Sequence, residues 1–134
     1  MNYSPKGIIE VIKLSRPAIA IHGGAGNWDV DEKTRLEIES FLNNLLKDTL
    51  DLLVNKDYTA LDAVEYAVSK LEDSGLFNAG SGSSLNVEGT AQMDAGIMDG
   101  SAMRAGAVAL VERVRNPIKL ARKVMEKTDH VLIG

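Results

Sequence analysis

Cysteine is absent from the 134-residue chain, which excludes a disulfide framework, a thiolate metal site and a cysteine nucleophile within it, and suits a reducing compartment. Histidine occurs only at 22 and 130, and neither has a partner at i+3 or i+4 to form a ligand pair on one helix face. Positive charge is also short: 15 Lys and Arg stand against 19 Asp and Glu, for a net charge of −4 and a pI near 5.1. The footprint that a nucleic-acid partner requires is therefore missing. No apolar run approaches the ~20 residues that span a bilayer. Residues 1–16 carry Lys6, Glu10 and Lys13 through their apolar part, so they lack the uninterrupted core of a secretory signal. A cytoplasmic protein with no membrane partner is expected.

What is present is the composition of one folded domain, with 45% hydrophobic and 25% charged residues and twelve glycines. Pro17 leads into Ala18-Ile19-Ala20-Ile21 and then His22-Gly23-Gly24-Ala25-Gly26, which reads as a buried strand entering a glycine loop. After Asp29 and Asp31, either able to cap, apolar residues at Ile38, Phe41, Leu42, Leu45, Leu46, Leu50 and Leu53 mark an amphipathic helix with Glu37, Glu39, Asn44, Lys47 and Asp51 outward. Thr59 and Asp62 form a capping-box pattern for a second helix, with a stripe of Leu61, Val64, Ala67, Val68 and Leu71 that ends before Gly75.

Gly75, Gly80, Gly82 and Gly89 bracket Leu76-Phe77-Asn78-Ala79 and predict a long, ordered loop of several turns, the kind that often carries function. Two strands, 91–98 and 103–111, follow around a tight turn at Asp99-Gly100, with Met93, Met98 and Met103 read as core filler. Asn116-Pro117 opens a short helix through Ile118, Ala121, Val124 and Met125 to Lys127. Basic charge concentrates in residues 101–134, with 7 basic and 3 acidic side chains, and is read as a solvated helix face. A last apolar strand, 130–133, is expected to be an open edge unless another chain or a further segment covers it. The chain is accordingly expected to be incomplete.

Taken singly, these residues leave the chemistry open. The glycine loop can present backbone N–H groups to an anion or a developing oxyanion, or it can be a tight turn. His22 is a packed histidine or a base. Asn78 orients a substrate or catalytic group through its amide, or satisfies loop backbone. Asp94 and Asp99 suit structural or turn roles better than paired acids. No serine has the flanking glycines of an esterase elbow.

Together, however, His22 to Gly26, Leu71-Glu72-Asp73, Leu76 to Gly80, Met93-Asp94-Ala95, Ile97 to Gly100, Ala105 to Val108 and Asn116-Pro117 through Val124-Met125-Glu126 stand in the order seen in one family. Over about residues 18–134 the chain resembles the α subunit of the plant-type L-asparaginases, also called isoaspartyl or β-aspartyl peptidases. The resemblance implies an α+β, N-terminal nucleophile hydrolase fold, a four-layer αββα sandwich completed by a β subunit. Residues 1–134 would then be the α portion of one shared domain, with 1–16 an N-terminal extension of no assigned role.

The resemblance further implies an autoprocessed amidohydrolase acting on the side-chain amide of L-asparagine and on β-aspartyl dipeptides. Its nucleophile is a Thr that self-cleavage leaves at the start of the β subunit, and the assembly is an (αβ)2 heterotetramer. Thr34, Thr49, Thr59, Thr90 and Thr128 are all internal and match no such position, so this chain supplies no catalytic residue. By resemblance, Gly23, Gly24 and Asn78 support the active site. The main-chain carbonyls of Leu71, Glu72, Ser74, Phe77, Ala79 and Ser81 are those that would hold a structural sodium ion. The competing reading is a non-catalytic glycine-loop binding or interaction module of the same fold.

Overall fold

The computed structural model describes residues 16–25 and 29–134. The extension at 1–16, apart from Arg16, and Gly26 of the glycine loop lie outside the described residues. Three helices and a small sheet follow in the order α1 Glu32–Asn55, α2 Ala60–Ser74, β1 Met93–Asp99, β2 Arg104–Val111, α3 Pro117–Lys127 and β3 Leu132–Ile133. A single 3-10 turn, Gly80–Gly82, stands between α2 and β1.

The helix boundaries follow from local chemistry. Asp31 caps α1, its side chain accepting from the Thr34 N–H at 2.7 Å. In α2 the capping box is complete: Thr59 Oγ1 accepts from the Asp62 N–H and Asp62 Oδ2 accepts from the Thr59 N–H, an arrangement that stabilises a helix start by ~1 kcal/mol. Gly75 ends α2 in the left-handed region, φ 70°, where glycine carries no Cβ penalty.

The apolar stripes are only partly those the sequence predicts. In α1, Ile38 and Leu45 are buried as expected, but Leu50 is exposed and the fully buried position is Thr49, whose hydroxyl donates to the Leu45 carbonyl at 2.7 Å. In α2, Val64 is exposed while Ser69 and Glu72 are buried with Ala63 and Ala67. The reason is that α2 is packed on two sides, against α1 and against α3, so a single stripe does not describe it.

The hairpin pairs β1 and β2 antiparallel from Met93↔Val111 to Asp99↔Arg104, with a bulge in β2 at Ala109 and Leu110, opposite Asp94. The turn is wider than the predicted dipeptide: residues 100–103 connect the strands and Met103, φ 51°, takes the left-handed position. Ile97 and Val108 then pack with Ile118, Ala121, Val124 and Met125 of α3 as the core. Helix α3 approaches so closely over Gly106 that an added Cβ would lie 2.5 Å from the Met125 backbone nitrogen and would also strike the Ala121 carbonyl. β3 joins the far side of β2 in parallel, Ala107↔Leu132 and Val108↔Ile133, giving the order β1-β2-β3. Its residues are exposed, as expected of an open edge.

Two expectations are corrected. The stretch 18–21 forms no strand and Ala18 and Ala20 are exposed, because among the described residues no strand runs beside it to pair with its backbone. Of the three methionines, only Met93 is core; Met98 and Met103 are exposed, one on the sheet face away from α3 and one in the turn. Among the described residues, no helix is long and apolar enough to cross a membrane.

Candidate active site

Between the N-terminal glycine segment and the loop after α2 lies a cavity of 550 Å³. It is lined by His22, Gly23, Gly24 and Ala25 on one side and by Leu71, Phe77, Asn78 and Ala79 on the other. The two segments that the sequence singled out, more than fifty positions apart, thus face one space. Phe77 is the anchor: it is buried, its ring lies 5.8 Å from that of Phe41 on α1 at 48°, and a Cβ at Gly23 would fall 2.8 Å from its Cε1. Gly24, at φ 129°, lies outside the backbone region open to other residues.

Asn78 is exposed, and its Oδ1 accepts from the Ser84 N–H at 2.8 Å. That bond fixes the amide and leaves Nδ2 a donor with no acceptor among the described residues. Asn78 and Ala79 also line a second cavity of 240 Å³ behind the loop, shared with Glu72, Gly80, Met93 and Asp94.

The six candidate sodium carbonyls belong to the last turn of α2 and the loop folded over it. The final four carbonyls of a helix have no intrahelical donor and carry the negative end of its dipole. Here serine hydroxyls satisfy some of them: Ser74 Oγ donates to the Leu71 carbonyl at 2.8 Å and Ser81 Oγ donates to the Glu72 carbonyl at 2.9 Å. The Phe77 carbonyl accepts from the Ala79 N–H at 2.7 Å and the Ala79 carbonyl from the Gly82 N–H at 3.0 Å. Gly80, φ 54°, sits against the Glu72 carbonyl, and Gly82 sits against the carbonyls of Phe77 and Gly75. A side chain at either would not fit. Carbonyl oxygens are hard donors of the kind that group 1 and 2 cations take, and four of these six each accept a hydrogen bond within the loop.

The remaining candidates are structural. Asp94 Oδ1 accepts from the Leu110 N–H at 2.8 Å, filling the gap that the bulge opens in the ladder. Asp99 accepts from the Ser101 Oγ and the backbone N–H groups of Ser101 and Ala102; these bonds, the Ser101 hydroxyl foremost, hold its carboxyl below the usual range. His130 takes part in local backbone bonds with Thr128. The basic tail is largely the solvated face expected, with Lys119, Lys123 and Lys127 exposed. Arg122 differs: it bridges Glu126 at 2.7 Å, Asp62 at 2.7 Å and Glu65 at 3.1 Å, which secures its charge.

Sequence reasoning missed the side chain of Glu72. It is 3% exposed, and its Oε1 accepts from the Ile118 N–H at 3.0 Å. Glu72 thereby caps α3 from another helix, while Asn116, the expected cap, instead donates from Nδ2 to Asp73 Oδ1 at 3.2 Å. A carboxylate two residues before a helix end carries no local sign of burial. The one available clue was its place next to the apolar stripe at Leu71.

The family model described as Asparaginase matches residues 15–134. The chain is 52% identical to the plant-type L-asparaginase of Pyrococcus furiosus over 116 residues, 87% of this chain and 37% of that protein. It is 49% identical to the plant-type L-asparaginase of Pyrococcus abyssi over the same shares. With the isoaspartyl peptidase/L-asparaginase of Xenopus laevis it shares 46% identity over 118 residues, 88% of this chain and 37% of that protein. The chain thus spans a little over a third of the length of these relatives.

Proposed function

The chain belongs to the asparaginase family, whose members have the N-terminal nucleophile hydrolase fold, and from that premise we propose that it is the α portion of an autoprocessed hydrolase of L-asparagine and β-aspartyl dipeptides. The observation that carries this reading is the 550 Å³ cavity, in which the glycine segment and Asn78 meet and to which, among the described residues, no side chain suited to be the nucleophile contributes. A Thr at the start of a partner β chain enters there. Its hydroxyl attacks the amide carbon, its own α-amine takes the hydroxyl proton, and the proton passes to the departing nitrogen. Water then cleaves the aspartyl ester and returns the Thr. The amine serves only when freed from a peptide bond, so self-cleavage precedes hydrolysis.

In this account the residues of this chain shape and polarise. Gly23 and Gly24 let backbone come close to the reacting centre, and the Nδ2 group of Asn78 donates a hydrogen bond within the cavity. The carbonyls of Leu71, Glu72, Ser74, Phe77, Ala79 and Ser81 hold a sodium ion whose contribution is to stiffen the loop. A second sheet from the β chain covers the face of β1 and β2 away from α3, where Met98 is exposed, and completes the αββα sandwich in an (αβ)2 assembly of the cytoplasm. Support for the covering sheet comes from the one-sided packing seen among the described residues, where α3 lies on the face bearing Ile97 and Val108.

The test is hydrolysis by the full-length protein. Ammonia release from L-asparagine, or aspartate release from a β-aspartyl dipeptide, is expected. Absence of both from a folded protein contradicts the proposal and favours an interaction module.

A further inference from the structure

Glu72 is a buried acid that the proposed chemistry leaves unused. One carboxylate oxygen accepts the Ile118 N–H, while Oε2 is buried with no hydrogen-bond partner among the described residues. Leaving a carboxylate oxygen so placed is costly. Burial is the main force pushing its pKa upward, with Asp73 adding to it; the Ile118 N–H, Asn116 and Lys119 oppose.

The position of Glu72 gives that cost a use. Ile118 is the second residue of α3, and its N–H has no acceptor within the helix. The Glu72 side chain supplies one. On its main-chain side the same residue accepts from Ser81 Oγ at 2.9 Å, and Gly80 packs against its carbonyl and Cβ. Asn116 reinforces the first of these joints through Asp73 and, at 3.5 Å, the Ser69 carbonyl. Glu72 also lines the cavity behind Asn78 and Ala79. One residue therefore grips both the start of α3 and the loop that presents Asn78.

We propose that Glu72 is a positioning residue that couples the N-terminus of α3 to the 76–84 loop and so sets the placement of Asn78 in the cavity. As a reading of the site this rests on the proposed hydrolase function. The coupling itself is a property of the fold and is measurable without substrate.

Hydrogen exchange and steady-state kinetics on the full-length protein test it together. In Glu72→Ala, amide exchange quickens by about tenfold or more in both 80–84 and 117–120. In the same variant kcat falls by about tenfold while KM moves less than about threefold. Glu72→Gln keeps an acceptor for Ile118 and restores both readouts. Combined with Asn78→Ala, Glu72→Ala costs no further kcat, because it acts through that amide.

Faster exchange confined to 117–120 would overturn the coupling, and multiplicative losses in the double variant would overturn the action through Asn78. If Glu72→Ala does not fold, Ser81→Ala cuts the joint from the loop side by removing the hydroxyl that donates to the Glu72 carbonyl. It is expected to quicken exchange at 117–120 as well as at 80–84, and unchanged exchange at 117–120 contradicts the proposal. Should the parent protein lack hydrolase activity, the exchange pattern still decides the coupling and only the functional reading fails.

Discussion

Gly23 and Phe77 are in such close register that a single added carbon on Gly23 would stand 2.8 Å from the edge of the Phe77 ring. The ring cannot swing freely aside, since it is buried and packed against Phe41. Gly23→Ala must therefore lift the glycine segment from the loop. An error of ~1 Å at a reacting centre costs on the order of a hundredfold in rate, so hydrolysis by Gly23→Ala is expected to fall by at least about tenfold. Circular dichroism should be unchanged, because the segment carries no regular structure. Full activity in this variant would remove the glycine segment from the site.

Asn78→Ala removes an exposed side chain whose one bond among the described residues is to the Ser84 N–H. Its effect on stability should stay within about 1 kcal/mol. Hydrolysis or self-cleavage is expected to fall by about tenfold or more, the usual scale for a lost hydrogen-bond donor at a reacting centre. Kinetics on substrate and the rate of precursor cleavage, measured separately, would show which step uses the amide. Unchanged rates for both would exclude it from the chemistry.

Much of this was legible in the sequence, and the divisions have physical causes. The start of α2 was readable to the residue, because a capping box is local chemistry between Thr59 and Asp62. The core face of α3 was likewise readable from Ile118, Ala121, Val124 and Met125, since that helix buries one face against one sheet. The stripe of α2 fails at Val64 and gives no sign of the buried Glu72, because that helix has neighbours on two sides, a fact set by the fold. The supposed strand at 18–21 had the right composition, but pairing depends on a neighbour that composition cannot supply. In the site, the meeting of Gly23 with Asn78 was foreseen only through family resemblance. The role of the Glu72 side chain was invisible, because its partner is 46 residues away.

Gly106→Ala tests the packing of α3 on the hairpin. A Cβ there meets the Ala121 carbonyl and the Met125 backbone nitrogen, both fixed in a helix, so the helix itself must move. The expected loss is about 1–3 kcal/mol, read as a lower denaturation midpoint of the full-length protein. A loss within error would mean that α3 is less tightly seated than its contact with Gly106 indicates.

Glu72→Gln is expected to change the pH dependence of stability in a defined direction. Burial raises the Glu72 pKa above that of an ordinary glutamate, about 4.3, so just above that pH the folded protein holds the proton that the unfolded chain has released. Stability attributable to this group falls as pH rises through that window. The glutamine variant lacks the fall. Its stability relative to the parent should therefore be higher at pH 7 than at pH 4, measured by denaturant titration at both. A difference independent of pH would show that Glu72 does not titrate abnormally.

On the proposed function, this chain works only beside a second chain whose first residue is the nucleophile. Intact mass spectrometry of the purified full-length protein, with N-terminal sequencing of each species, addresses it directly. The account predicts two polypeptides, one containing the sequence described above and one beginning with Thr. A single uncleaved polypeptide that remains uncleaved on incubation would contradict it, and the fold would then stand as an interaction module.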